Sequence, residues 1–182
     1  MNEEIENAVK AIKKETEELG YWVTGMAASG VSAGGTLAMN LAYGGNSAIP
    51  VRFVFELAAP TYFVAEDWGS LMKSDNLGSE EEFYRMMTGK ELSAQEYRQE
   101  IKKISPTCLV GEDSVPTLIG YGLKDHCVPA DQKEYLIDAL EKNGVSYDYV
   151  EFPHSNHLLY GDLDKMQTFM DLSLEYCKKY FQ

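Results

Sequence analysis

Residues 22–41 read WVTGMAASGVSAGGTLAMNL, and this stretch decides the fold. An apolar, strand-like run (22–28) meets a turn of small residues, and a helix-like run follows. The turn holds Gly30-Val31-Ser32-Ala33-Gly34, a G-x-S-x-G match with Gly35 behind it. That is the pattern of a nucleophile elbow, a sharp turn that lifts a serine hydroxyl clear of the backbone. The flanking glycines spare the turn the side chains that would collide with its neighbours. A helix starting after Ser32 offers free N–H groups and a positive dipole end to a developing oxyanion. The plain alternative is a close-packed glycine-rich turn with no chemistry, since short motifs recur by chance. The strand before and the helix after are the context the motif requires.

The segment 29–42 resembles the elbow of the α/β-hydrolase superfamily, close to the Ser-Ala-Gly-Gly branch of small esterases and lipases. The resemblance continues along the chain. Gly122-Leu123-Lys124-Asp125-His126-Cys127-Val128-Pro129 is similar to the superfamily's acid loop, with Asp125 in the place of the acid. Phe152-Pro153-His154-Ser155-Asn156-His157 is similar to its histidine loop, with His157 in the place of the base. The order Ser32, Asp125, His157 is that of the superfamily. The resemblance thus implies a serine hydrolase cleaving carboxylic esters of modest size through an acyl-enzyme. Ser32 would attack, His157 would carry the proton, Asp125 would hold the imidazole and the Ala33 N–H would supply one oxyanion donor. A peptidase of the same fold is a close variant. His154 rivals His157 as the base and His126 adjoins Asp125; the resemblance favours His157. The plain alternative for Asp125 is an N-cap or turn carboxylate, which the match disfavours, and Asp162 and Asp164 read as helix-start residues.

At 182 residues, 45% of them apolar, the chain has the size and composition of one globular domain. Its net charge of -13 repels phosphate backbones and anionic lipid, so no nucleic-acid or membrane-surface partner is expected. No apolar run is long enough to span a bilayer. The acidic, polar opening Met-Asn-Glu-Glu carries no signal peptide, which implies a cytoplasmic location. Cys108, Cys127 and Cys177 lack metal or redox spacing and read as buried filler, Cys127 as semi-exposed. No cofactor and no metal are expected.

The remaining pattern alternates helix and strand. Residues 3–19 form a helix whose Ile5, Ala8, Val9 and Ile12 stripe should cover a sheet. The helix after the elbow presents Leu37, Ala38, Leu41 and Ala42. Strands follow at 51–57, 117–121 and 146–152. A helix opened by Pro129-Ala130-Asp131 turns Tyr135, Leu136, Ala139 and Leu140 inward, and Gly144 closes it. A last helix at 162–181 aligns Leu163, Met166, Met170, Leu174, Cys177 and Phe181. Residues 61–107 break the alternation: Ser79 with Glu82 and Ser93 with Glu96 make two capping boxes. This is a helical insertion in the position of a lid, whose aromatics and methionines either pack together or wall a pocket. The expected architecture is a partial α/β-hydrolase fold, about four parallel strands flanked by helices, in one domain spanning 1–182.

The sequence departs from the superfamily at its start. No strand precedes residue 22, and no His-Gly-Gly run provides the loop that donates the second oxyanion N–H. The chain therefore reads as truncated at its N-terminus, which leaves a weakly active or non-catalytic remnant, kept for assembly or binding, as the alternative. The nucleophile strand should form a sheet edge, a pairing hazard. It is expected to be covered by a second copy of the chain, by the N-terminal helix, or by a segment outside this sequence.

Overall fold

The structure, a computed structural model, describes residues 2–64, 68, 78–129 and 131–182. Four strands form one all-parallel sheet: β1 (Met26–Val31), β2 (Val51–Leu57), β3 (Thr117–Gly122) and β4 (Tyr147–Phe152), in that order across the sheet. The helices are α1 (Asn2–Glu18), α2 (Ala33–Tyr43), α3 (Glu80–Thr88), α4 (Ala94–Glu100), α5 (Pro106–Leu109), α6 (Gln132–Lys142) and α7 (Leu163–Tyr180). A 3-10 turn, Ile101–Ile104, joins α4 to α5. This is a partial α/β-hydrolase fold.

Alternate residues of the strands feed two cores, one on each face of the sheet. On one face Val54, Ile119 and Tyr121 meet Ala38 and Met39 of α2 and Leu136 and Leu140 of α6. On the other, Phe53, Leu118, Val150 and Phe152 meet Phe169 and Tyr176 of α7. β3 is buried along its whole length, as a strand covered on both faces must be.

Several elements differ from their sequence reading. β1 begins four residues later than expected, because Met26 is the first residue paired to β2, opposite Val51; Trp22 stands in solvent. The strand runs on through Ser29, Gly30 and Val31, so the first two residues of the G-x-S-x-G motif are strand. α1 does not bury its stripe on the sheet. Only Val9 is buried, Ile12 is more than half exposed, and the helix packs on α2.

α7 turns a different face inward. Leu163, Met170 and Leu174 are exposed, and Phe169, Ser173 and Tyr176 are buried. Two aromatic rings remove more apolar surface from water than the aliphatic stripe would. Gly120 admits the Phe169 ring: a Cβ there would lie 3.1 Å from its edge. α2 likewise buries Gly35, Ala38, Met39 and Ala42 rather than Leu37 and Leu41. The cysteines are not buried filler: Cys108 and Cys127 are exposed and Cys177 is half-buried.

The insertion holds both capping boxes, with Ser79 and Ser93 each accepting from the N–H three residues on and each glutamate reaching back. Residues 65–67 and 69–77 of it lie outside the described residues, as does Ala130 at the start of the α6 region. Its core is Phe63, Trp68, Phe83, Tyr84, Tyr97 and Ile101. Two polar side chains of α2 fasten it to the sheet layer. Thr36 Oγ1 donates to the Pro60 carbonyl (2.6 Å), and Asn40 Nδ2 donates to that of Ile104 (3.0 Å).

Candidate active site

Ser32 sits where β1 gives way to α2. Its backbone is left-handed, φ 55° and ψ -130°, a conformation that costs a non-glycine residue energy and is held by its surroundings. Its N–H donates to the Leu57 carbonyl (2.8 Å), and its own carbonyl accepts from Gly35 N–H (2.9 Å). The turn needs glycine at two of the three positions the sequence offers. A Cβ on Gly30 would stand 2.2 Å from the Gly34 backbone, and one on Gly35 would stand 2.7 Å from Ala59 Cβ. Gly34, inside the motif, faces open space.

Asp125 and His157 arrive from the ends of β3 and β4. Gly122 lets the two loops lie together: a Cβ there would meet the Ser155 and Asn156 carbonyl oxygens at 2.5 and 2.6 Å. Lys124 N–H then donates to the Ser155 carbonyl (3.0 Å). The buried Asp125 carboxylate accepts through Oδ1 from the N–H groups of Cys127 (2.8 Å) and Val128 (2.9 Å). Its Oδ2 lies 2.7 Å from His157 Nδ1. A carboxylate only accepts, so Nδ1 carries the proton and donates. That leaves Nε2 to accept the Ser32 hydroxyl, 2.9 Å away.

The other histidines are elsewhere. His154 Nδ1 lies 2.7 Å from Asp162 Oδ1, and His126 is exposed. Asp162, read from sequence as a helix-start residue, makes no cap bond. It is buried, and its Oδ2 accepts from His154 N–H (2.9 Å) and Ser155 Oγ–H (2.6 Å). Ser155 Oγ in turn accepts from Gly161 N–H (3.0 Å). Burial raises the Asp162 carboxyl, but these donors outweigh it and hold the group below its ordinary value. Asp162 thereby ties off the loop that delivers His157. Spacing along the sequence gave no hint of this, because the bonds span seven and eight residues of irregular loop, not a helix or strand repeat.

A second carboxyl lies beneath the elbow. Glu56, opposite Gly30 in the sheet, is fully buried. Its Oε2 accepts from Ala59 N–H (2.9 Å). Burial pushes its carboxyl well above the carboxylate range, against the pull of the Ala59 and Gly120 N–H groups, which favours the protonated form. The Ala59 carbonyl accepts from the Tyr121 hydroxyl. Together these bonds fix the turn after β2, where Ala58 also has positive φ (52°).

Ala33 is the first residue of α2, where an N–H has no intrahelical acceptor. It lines a cavity of about 560 Å³. Leu37, Phe63, Trp68, Phe83, Met86 and Met87 line it as well. Some of the insertion's aromatics therefore pack together and line a pocket at once. The volume is that of an ordinary small-molecule site.

Residues 2–182 match the sequence pattern of the prolyl oligopeptidase family, Peptidase_S9. The chain belongs to the prolyl oligopeptidase family. No curated protein matches it in sequence. Among solved structures, a truncated carbohydrate esterase from gut microbiota superposes on the whole chain at TM-score 0.74 and 17% identity. The esterase Est2 of Thermogutta terrifontis, with propionate bound, covers 96% of it at TM-score 0.69 and 21% identity. An acylaminoacyl peptidase of Pyrococcus horikoshii covers 96% at TM-score 0.66 and 16% identity. At these identities the likeness is one of fold. This family member spans 68% of the first structure, 62% of the second and 27% of the third.

Proposed function

We propose that the chain is a serine hydrolase that cleaves carboxylic esters through an acyl-enzyme. The observation that carries the reading is the unbroken hydrogen-bond line from Ser32 through His157 to Asp125, set at a strained serine on a strand-to-helix turn. Ser32 Oγ attacks the acyl carbonyl as His157 Nε2 takes its proton. The imidazolium, held by Asp125, hands that proton to the leaving alkoxide. Water then repeats the sequence on the acyl-enzyme. The Ala33 N–H points its dipole at the oxyanion. The apolar cavity beside Ala33 accepts the substrate's hydrocarbon portion.

Cleavage of peptide bonds is the second reading, favoured by the family match along the whole chain. Both readings use the same residues. They separate on paired ester and anilide substrates of one acyl group. The test is a series of short- and medium-chain p-nitrophenyl esters beside the Ser32→Ala variant, with fluorophosphonate labelling of both. Hydrolysis and labelling should vanish together in the variant. Equal turnover by wild type and Ser32→Ala would end the proposal and leave the binding-remnant alternative.

A further inference from the structure

Among the described residues one group of three could hold a metal ion, and it lies inside this site. One ligating atom each from Asp125, Cys127 and His157 lies within 4.8 Å of the others. The set mixes a carboxylate, a thiol and an imidazole. These are the donor types that favour zinc and neighbouring borderline cations over magnesium or calcium.

We propose that Asp125, Cys127 and His157 form an inhibitory site for a thiophilic divalent cation such as Zn²⁺. The thiol is exposed, so a cation reaches it from solvent. Two bonds from the Cys127 and Val128 N–H groups to Asp125 Oδ1 pin the loop beside the carboxylate. Zinc bonds of about 2.0–2.3 Å in a tetrahedron put ligands about 3.5 Å apart, so the Asp125–His157 pair opens by about 0.8 Å from its 2.7 Å contact, and the exposed Cys127 side chain turns in to close the gap that remains. A water completes the fourth position.

The inhibition follows from which imidazole nitrogen the cation takes. Nδ1 is the nitrogen facing Asp125, and Nε2 faces Ser32. A cation on the Nδ1 lone pair moves the imidazole proton to Nε2. Nε2–H then donates to Ser32 Oγ and has no lone pair left for the serine proton. The thiol proton leaves to solvent as the thiolate binds. No bond to Ser32 forms or breaks, and chelation reverses the state.

Binding stands independently of the hydrolase reading; the inhibition rests on it. The 182-residue chain is titrated with Co²⁺, whose thiolate charge-transfer band reports the Cys127 bond directly. A saturable band, competed by Zn²⁺, is expected in wild type and in Cys108→Ser, and is lost in Cys127→Ser. In parallel, p-nitrophenyl acetate hydrolysis is followed against Zn²⁺ and then EDTA, as activity relative to each variant's own metal-free rate. The half-inhibiting concentration should rise about 100-fold or more in Cys127→Ser, since even groups that merely orient a ligand are worth about 10- to 100-fold. A band that survives in Cys127→Ser, or no saturable band, overturns the site. A Cys127-dependent band with undiminished hydrolysis at saturating Zn²⁺ overturns the inhibition. A band in a chain that hydrolyses no ester upholds the site and overturns the hydrolase reading instead.

Discussion

The adjacent glycines of the elbow should respond to the same substitution with opposite signs. In Gly35→Ala the new methyl meets Ala59 Cβ at 2.7 Å, the Gly30 carbonyl oxygen at 3.2 Å and Glu56 Cβ at 3.3 Å. Carbon atoms rest about 3.5–4.0 Å apart, so the shortest contact is about 1 Å too close. Over-packing of this kind costs about 1–3 kcal/mol. All three neighbours are backbone or the Cβ of a buried residue and cannot swing away, so the upper value of about 3 applies. Helix propensity returns about 1 kcal/mol, leaving Gly35→Ala destabilised by about 2. In Gly34→Ala nothing lies within 4 Å, and only the propensity gain of up to about 1 kcal/mol remains. The two variants should differ by about 3 kcal/mol. At a urea slope of about 2 kcal/mol per molar, that is about 1.5 M between midpoints. The shift forced in Gly35→Ala also moves Ser32, and misplacement of about 1 Å costs on the order of 100-fold in rate. Urea melts of both variants, with ester turnover, provide the assay. Coincident midpoints, or a Gly34→Ala as unstable as Gly35→Ala, would refute the close packing of α2 on β2.

Glu56→Gln should be more stable than wild type above neutrality and level with it near pH 4, by urea melts across pH. The folded carboxyl titrates well above the unfolded value of 4.5. Stability from the neutral acid is therefore complete below about pH 4.5 and is lost as pH rises towards and through the folded value, a loss the amide escapes. Asp162 has the opposite sign. Its folded value is depressed, so its contribution is present at neutral pH and fades as pH falls below the usual carboxylate value of about 3.9. Asp162→Asn should flatten that acid limb in thermal melts. His157→Ala should lower kcat by about 10⁴-fold or more, while His154→Ala, which leaves the proposed base in place, should lower it by less than about tenfold; equal losses would undo the proposal that His157 is the base. Tyr121→Phe strands the buried Ala59 carbonyl and should cost about 1–3 kcal/mol in urea melts, without changing volume by more than one oxygen.

Local pattern carried much of the architecture. The strand at Val51–Leu57 has the limits its apolar run suggests, and both capping boxes form where Ser79 and Ser93 stand three residues before a glutamate. These are short-range matters: a β-branched and aromatic run prefers extended backbone, and a serine reaches only the turn that follows it. What went unseen depends on which surfaces meet. The face α7 buries is settled by the gap over Gly120 that receives Phe169, not by the spacing of its aliphatic residues.

Ser32, Asp125 and His157 were named by motif, yet nothing along the chain measures 2.7 or 2.9 Å between loops 32 and 125 residues apart. The sequence by itself determined the residue types, their order and the strand ends that would carry them. Tertiary structure alone decided that Ser32, His157 and Asp125 lie within bonding reach of one another, and that Glu56 is buried with its carboxyl pushed above the usual range. Each depends on the dielectric and the partners around a side chain, and those exist only once distant segments have packed.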